Sequence, residues 1–376
     1  MKKGNKTITL QILSGVLKFL AVSVSFLLLI VIIIPSILSL VKGQDIPPVD
    51  ETGLQLQVVN IPKDENFFYD LNYDFEEVRN SVILKNIPKD REFVLDYLES
   101  DKWDSEVVES ILADNREVLE DWTTASVKGK FQLPYTNGLT QVSRDMPVTP
   151  LNIYRDVSRL SSIKAIYLAK TGQEKEALDE TMKNIIIGNA ILNSQSTLIT
   201  HLTGIAIKDT GLDVLQKVIS LIPENSQILL DYSFELENYQ AIVNSSPFRV
   251  EYIVWRQSLD DSMDNNINQE LGLLEKMLLK NNFYFKKNST SSYYYDFYNQ
   301  LAMEAEKDCS QVSDVSYPFR LLATNNVFKL YFTENLMGKL MSSFPEMTFN
   351  NVLEKKCTTE QKLKETNLII SSRQLP

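Results

Sequence analysis

The sequence predicts an all-α protein carried on one N-terminal transmembrane helix. Three observations support this. Glycine (12) and proline (13) are sparse in a chain of 376 residues, which disfavours turn-dense β folds. Apolar residues recur at spacings of three and four through much of the chain, the period of a half-buried helix. An uncharged apolar run from Phe19 to Val41 is long enough, at helical rise, to cross a hydrocarbon layer of about 30 Å.

The apolar run fixes the expected organisation. Pro35 lies inside it, where a kink is tolerated in a membrane helix. Lys2, Lys3, Lys6 and Lys18 precede it, whereas Lys42 is followed by Asp45, Asp50 and Glu51. By the positive-inside rule this asymmetry leaves the N-terminus in the cytoplasm. The expected layout is a cytoplasmic tail over 1–18, a transmembrane helix over 19–41, a linker over 42–63 and a helical extracytoplasmic domain over 64–376. A rival reading is a cleaved signal peptide ending near Ser39, but the apolar core exceeds the usual length of such a segment. Both readings carry the domain out of the cytoplasm.

Each later element has its own signal. The segment 42–63, with Pro47, Pro48, Gly53 and Pro62, reads as a stalk or an irregular pass over the domain. Ser105 opens EVVESILADNREVLEDW, one continuous apolar stripe from Val107 to Trp122. Lys128 to Pro150 reads as a loop, marked by Pro134, Asn137-Gly138 and Pro147. Thr149-Pro150 starts a helix that Gly172 stops. Two further helices, roughly 173–192 and 196–221, follow on short turns and imply antiparallel packing.

The segment AIYLAKTGQEKEALDETMKNI, with Ala165, Gly172 and Ala177 at small positions, resembles a tetratricopeptide helical hairpin. The resemblance covers about one repeat, and Thr181 stands where an aromatic residue is expected. ESILADNREVLEDW, the hairpin, STLITHLTGIAI, ENLMGKLMSSF and EKKCTTEQKLKETNLIISSR together resemble a broad group of membrane-anchored bacterial helical proteins. That resemblance implies a helical ectodomain of tetratricopeptide-like or irregular type and brings no activity with it.

Several chemistries are excluded or disfavoured. The net charge is −11, and the basic tail makes the remainder more acidic still. Such a domain repels a phosphate backbone, so no nucleic acid is expected as a partner. The single histidine, His201, lies in the apolar stretch LITHLTGIAI and reads as a buried core residue. No phosphate-cradling loop or nucleophile elbow is present. Asp260, Asp261 and Asp264 read as a solvated helix end, although paired acids leave a carboxylate-dependent hydrolase open. Asp264, Asn266, Asn268 and Glu275 fall at calcium-loop spacing, but Gln269 replaces the turn glycine and a helical pattern begins at Leu271. No cofactor or metal is expected.

Two features remain as candidate sites. The aromatic residues Tyr284, Phe285, Tyr293, Tyr294, Tyr295, Phe297 and Tyr298 form either a core or a binding surface. Cys309 and Cys357, the only cysteines, are a candidate disulfide if the domain lies in an oxidising compartment. Asn244-Ser-Ser and Asn288-Ser-Thr fit the glycosylation acceptor pattern by chance composition. The sequence therefore favours a non-enzymatic scaffold or interaction module with protein partners in the envelope. The alternative is a carboxylate-dependent hydrolase acting on envelope polymers.

Overall fold

The computed structural model describes residues 17–26, 33–56, 59–71, 103–133, 151–223, 226, 228–239, 245–263, 280–315, 334–335, 339 and 347–373. These residues are helical with connecting loops, and no strand occurs among them. The calcium-loop spacing from Asp264 to Glu275, disfavoured in the sequence, and the segment from Pro134 to Pro150 lie outside the described residues. The chain divides into two compact units. One comprises residues 1–51, 259–297 and 317–345; the other comprises 52–258, 298–316 and 346–376.

In the first unit the described N-terminal residues are helical at 17–26 and again in α1, Ile34–Lys42. Among the described residues no helix is long and apolar enough to cross a membrane; the predicted span includes 27–32, which are not described. Most of its described side chains are open to solvent, with Phe19 74% and Leu40 87% exposed, while Ile34 and Leu38 are half-buried. Beyond α1 the chain is stitched to the start of the aromatic helix that later carries Tyr293–Tyr295. Asp45 accepts from the backbone of Asn288 (2.6 Å) and Ser289 (2.9 Å), capping that helix at its positive end. Asn288 Nδ2 in turn donates to the Ile46 carbonyl (2.8 Å).

The same unit contains a buried polar knot. Asn335 adopts a left-handed conformation (φ 53°), which asparagine tolerates better than most residues. Its backbone N–H donates to the Phe283 carbonyl (2.8 Å), and its Oδ1 accepts from Lys286 N (2.8 Å). Lys286, 7% exposed, directs its ammonium to the Gln44 carbonyl (2.6 Å) and to Glu334.

The second unit is built on helices α2 (Ser105–Asp114), α3 (Arg116–Lys128), α4 (Leu151–Lys170), α5 (Glu174–Leu192), α6 (Leu198–Leu221) and α7 (Ile228–Glu237). Helices α8 (Ser246–Met263) and α9 (Lys287–Ala305) contribute to both units, with divisions after Ser258 and Phe297. The long α10 (Met347–Ser372) closes the described chain.

The expected single stripe from Val107 to Trp122 is two helices. Asp104, rather than Ser105, caps α2, accepting from Glu106 N and Val107 N. Asn115 breaks the run because its Nδ2 bonds the Ile111 carbonyl (2.7 Å), competing with helical backbone bonding. Val108, Ile111, Val118, Leu119 and Trp122 are buried, whereas Val107 is exposed.

Helices α4, α5 and α6 form the centre, with bounds close to those read from periodicity. At the α4–α5 turn Gly172 has φ +79°, and Gln173 N donates to the Leu168 carbonyl (2.9 Å), the left-handed glycine stop of a helix. Between α5 and α6 the backbones approach so closely that a Cβ on Gly188 would lie 2.6 Å from Lys208 N. Leu178, Ile185, Leu212, Leu215 and Val218 pack in the same core, fully buried.

Two polar joints are buried within that core. Asn184 accepts from Trp122 Nε1 (2.9 Å) and donates to the Ser158 carbonyl (3.0 Å), linking α3, α4 and α5. Glu180, 2% exposed, is held by Lys164 (2.9 Å), Lys183 (2.7 Å) and Ser161 Oγ (2.9 Å). Both carboxylate oxygens are engaged, Oε1 by Ser161 and Oε2 by the two lysines, which offsets the cost of burying the charge.

Helix α10 docks on α6 and α7 through spaced polar contacts. Lys362 sits between Asp209 and Asp213 (2.7 Å), successive acids on one face of α6. Burial alone would lower its pKa, but the two carboxylates outweigh burial and hold it above the usual value. Gln216 donates to Thr366 (2.9 Å), and Arg373 bonds the Ile219 and Ile222 carbonyls, satisfying the orphan end of α6.

The expected linker 42–63 is anchored within each unit separately. Its first residues carry the Asp45 contacts described above. Its last residues pack in the second unit, where Ile61 N donates to Gln132 Oε1 (2.8 Å); just beyond the linker, Phe67 N donates to the Lys130 carbonyl (3.0 Å).

Candidate functional site

Most of the aromatic residues singled out in the sequence are side chains of the interior. Tyr284, Phe285, Tyr294, Phe297 and Tyr298 are buried, while Tyr293 and Tyr295 are half-buried. In the second unit Tyr298 meets Phe349 edge to face at 5.6 Å and Tyr252 at 6.2 Å. Such pairs contribute roughly 0.5–1.5 kcal/mol beyond their area. A stacking platform for a ligand would need the ring faces in solvent, and five of these rings are withdrawn from it.

The acidic cluster is not gathered into a site among the described residues. Asp260 pairs with Lys287 (2.6 Å); Asp264 is outside the described residues. No group of three His, Cys, Asp or Glu side chains suited to a metal ion occurs among the described residues. Cys309, in the turn after α9, and Cys357, on α10, are joined, with Sγ–Sγ 2.12 Å and Cα–Cα 5.4 Å.

His201 is buried in α6, 4% exposed, and its Nδ1 has no hydrogen-bond partner among the described residues. Burial, and secondarily the charge of Lys356, pushes its pKa down to about 3. A neutral imidazole at every physiological pH cannot shuttle protons there. Near the start of α6, Glu251 of α8 accepts from Leu198 N (2.8 Å), and burial raises its carboxyl pKa against that bond.

A concave site that sequence reasoning missed lies in the second unit. A cavity of about 460 Å³ is lined by the apolar side chains Ile61, Phe131, Ile186 and Ala190 and by the polar side chains Asn189 and Asn193. Tyr239, Lys130, Ser126 and Val127 also line it. Gly129, with φ +58°, ends α3 at the cavity in the left-handed conformation and turns the chain toward Phe131. The two asparagines are one helical turn apart on the same face of α5.

Directly behind this wall is a buried cation. Lys208 of α6 is 2% exposed, and its Nζ donates to Asn189 Oδ1 (3.2 Å) and to the Tyr239 carbonyl (2.7 Å). Among the described residues no carboxylate stands within ion-pair distance of it. Burial pushes its pKa down to about 8, against the more distant charge of Glu360. Because an ammonium can only donate, Asn189 must turn its oxygen toward Lys208. Its Nδ2 is left without an acceptor among the described residues.

The available signal was Lys208 in LTGIAIKDTGL. The residue shares the helical face of Gly204 and Gly211, which pack against α5, so a charge there had to be buried. Comparisons with protein-family models, with curated proteins and with solved structures find no match to this chain.

Proposed function

We propose that the protein is a membrane-anchored, extracytoplasmic interaction or scaffold module, held by residues 19–41 with its N-terminus in the cytoplasm. The observation that carries this reading is the apolar N-terminal segment. Phe19, Val22, Phe26, Leu40 and Val41 are all more than 60% exposed, a set of side chains that lipid would cover at a gain of about 25 cal/mol per Å². The lysines before it and the acids after it supply the orientation. The joined pair Cys309–Cys357 supports the same side of the membrane, since disulfides persist in oxidising compartments. The aromatic helix gives little support to a carbohydrate-stacking surface, because most of its rings are buried. Envelope protein partners would meet the helical surface of the domain.

Reporter fusions after Gly43 and at Pro376 test the topology. A reporter active only outside the cytoplasm should be active at both positions. Deleting residues 1–41 should release the remainder from the membrane fraction. Cytoplasmic activity of both fusions, or a deletion product that stays with the membrane at high salt and alkaline pH, would overturn the reading.

A further inference from the structure

We propose that the cavity bounded by Asn189, Phe131 and Ile186 binds a small carboxylate with an apolar body, for which Lys208 supplies the opposite charge through Asn189. This site is independent of the membrane reading above.

The lining mixes apolar and polar side chains. Phe131, Ile186, Ala190 and Ile61 offer an apolar surface, and the volume of about 460 Å³ falls in the range of small-molecule sites. On the same face of α5 as Ile186 and Ala190, Asn189 Nδ2 is a donor without an acceptor among the described residues, its oxygen being held by Lys208. A donor whose carbonyl end already accepts from an ammonium is polarised, and its N–H bonds to an acceptor strengthen. The ligand atom that belongs at Asn189 is therefore an acceptor.

Charge selects which acceptor. Lys208 has two hydrogen-bond acceptors, both neutral, and no ion-pair partner among the described residues. A buried ammonium in that setting is costly, and an anion brought to the other side of Asn189 would offset the cost. Lys130 in the lining is already paired with Glu65, so the uncompensated charge is that of Lys208. One amide donor beside apolar side chains suits a monoanion rather than a phosphate, whose three oxygens would need more donors. The neighbouring Asn193 offers a second amide for a carboxylate's other oxygen.

The full chain in detergent is titrated calorimetrically with benzoate, benzyl alcohol, benzylamine and inorganic phosphate. Benzoate should bind saturably, at least tenfold more tightly than benzyl alcohol, with benzylamine and phosphate weaker than both. Lys208→Met should lower benzoate affinity at least tenfold and benzyl alcohol affinity by less, so that the preference for the carboxylate is lost. Asn189→Asp provides a second variant, because its carboxylate would pair with Lys208, favouring the fold while cancelling the charge; benzoate binding should be lost. Absence of saturable benzoate binding overturns the proposal. So does equal affinity for benzyl alcohol, tighter binding of phosphate, or an unchanged benzoate preference in either folded variant.

Discussion

His201 gives the cleanest single-residue readout in the molecule, because it is the only histidine in the chain. Its imidazole is neutral when folded, with a pKa near 3, and has the ordinary value of about 6.5 when the chain unfolds. Between those values the unfolded state binds the extra proton, so stability rises with pH through that window and is lost as the pH falls through it. From pH 7 to pH 5 the loss should be about 2 kcal/mol, the slope approaching 1.36 kcal/mol per unit only below the unfolded pKa. His201→Leu removes the proton acceptor and keeps an apolar side chain in an apolar setting. Chemical unfolding of the wild type and this variant at pH 7 and pH 5 should show the wild type losing its midpoint advantage while the variant changes less. Equal pH slopes in the two proteins would mean that His201 is solvated in the folded state.

At the scale of elements, the α5–α6 pair is held close by glycines. A Cβ on Gly188 would meet Lys208 N at 2.6 Å and the Gly204 carbonyl at 2.9 Å, both backbone atoms that cannot rotate away. Gly188→Ala should therefore force the helices apart and cost about 3 kcal/mol. Gly172→Ala is the comparison: nothing lies within 4 Å of its added Cβ, so only the left-handed strain, about 1 kcal/mol, applies. Thermal unfolding should rank the two losses in that order, and the reverse order would contradict the close approach. These helices were also the most legible part of the sequence, since long apolar periodicity bounded by Gly172 and Pro223 leaves few alternatives. The break at Asn115 was not legible, because it depends on where one side chain sends its amide. The aromatic residues of α9 were legible as a dense cluster, but density does not say which way a ring faces. Lys208 was obscured by the general exposure of lysines, and only its place on the glycine face separates it from a surface residue.

For the whole molecule, the question is what holds α10 to the rest of the second unit when the domain as a whole is acidic. Buried contacts account for part of the answer, with Leu363 and Ile370 in the central core and Lys362 held by two aspartates of α6. The Cys309–Cys357 link adds a covalent tie between the turn after α9 and α10, across a sequence separation of 48. In the chain-entropy description, closing a loop of that length contributes about 4 kcal/mol by restricting the unfolded state. That is a large share of the 5–15 kcal/mol by which native domains are typically stable. Protein prepared from the envelope without reductant and then denatured should show no free thiol. Adding reductant should lower its unfolding midpoint, and the double variant Cys309→Ser, Cys357→Ser should show a similar loss that reductant does not deepen. Two free thiols per chain in envelope-derived protein would eliminate the bridge in the cell. They would also remove one support for an extracytoplasmic domain, because half-buried thiols so close in space are expected to oxidise outside the cytoplasm.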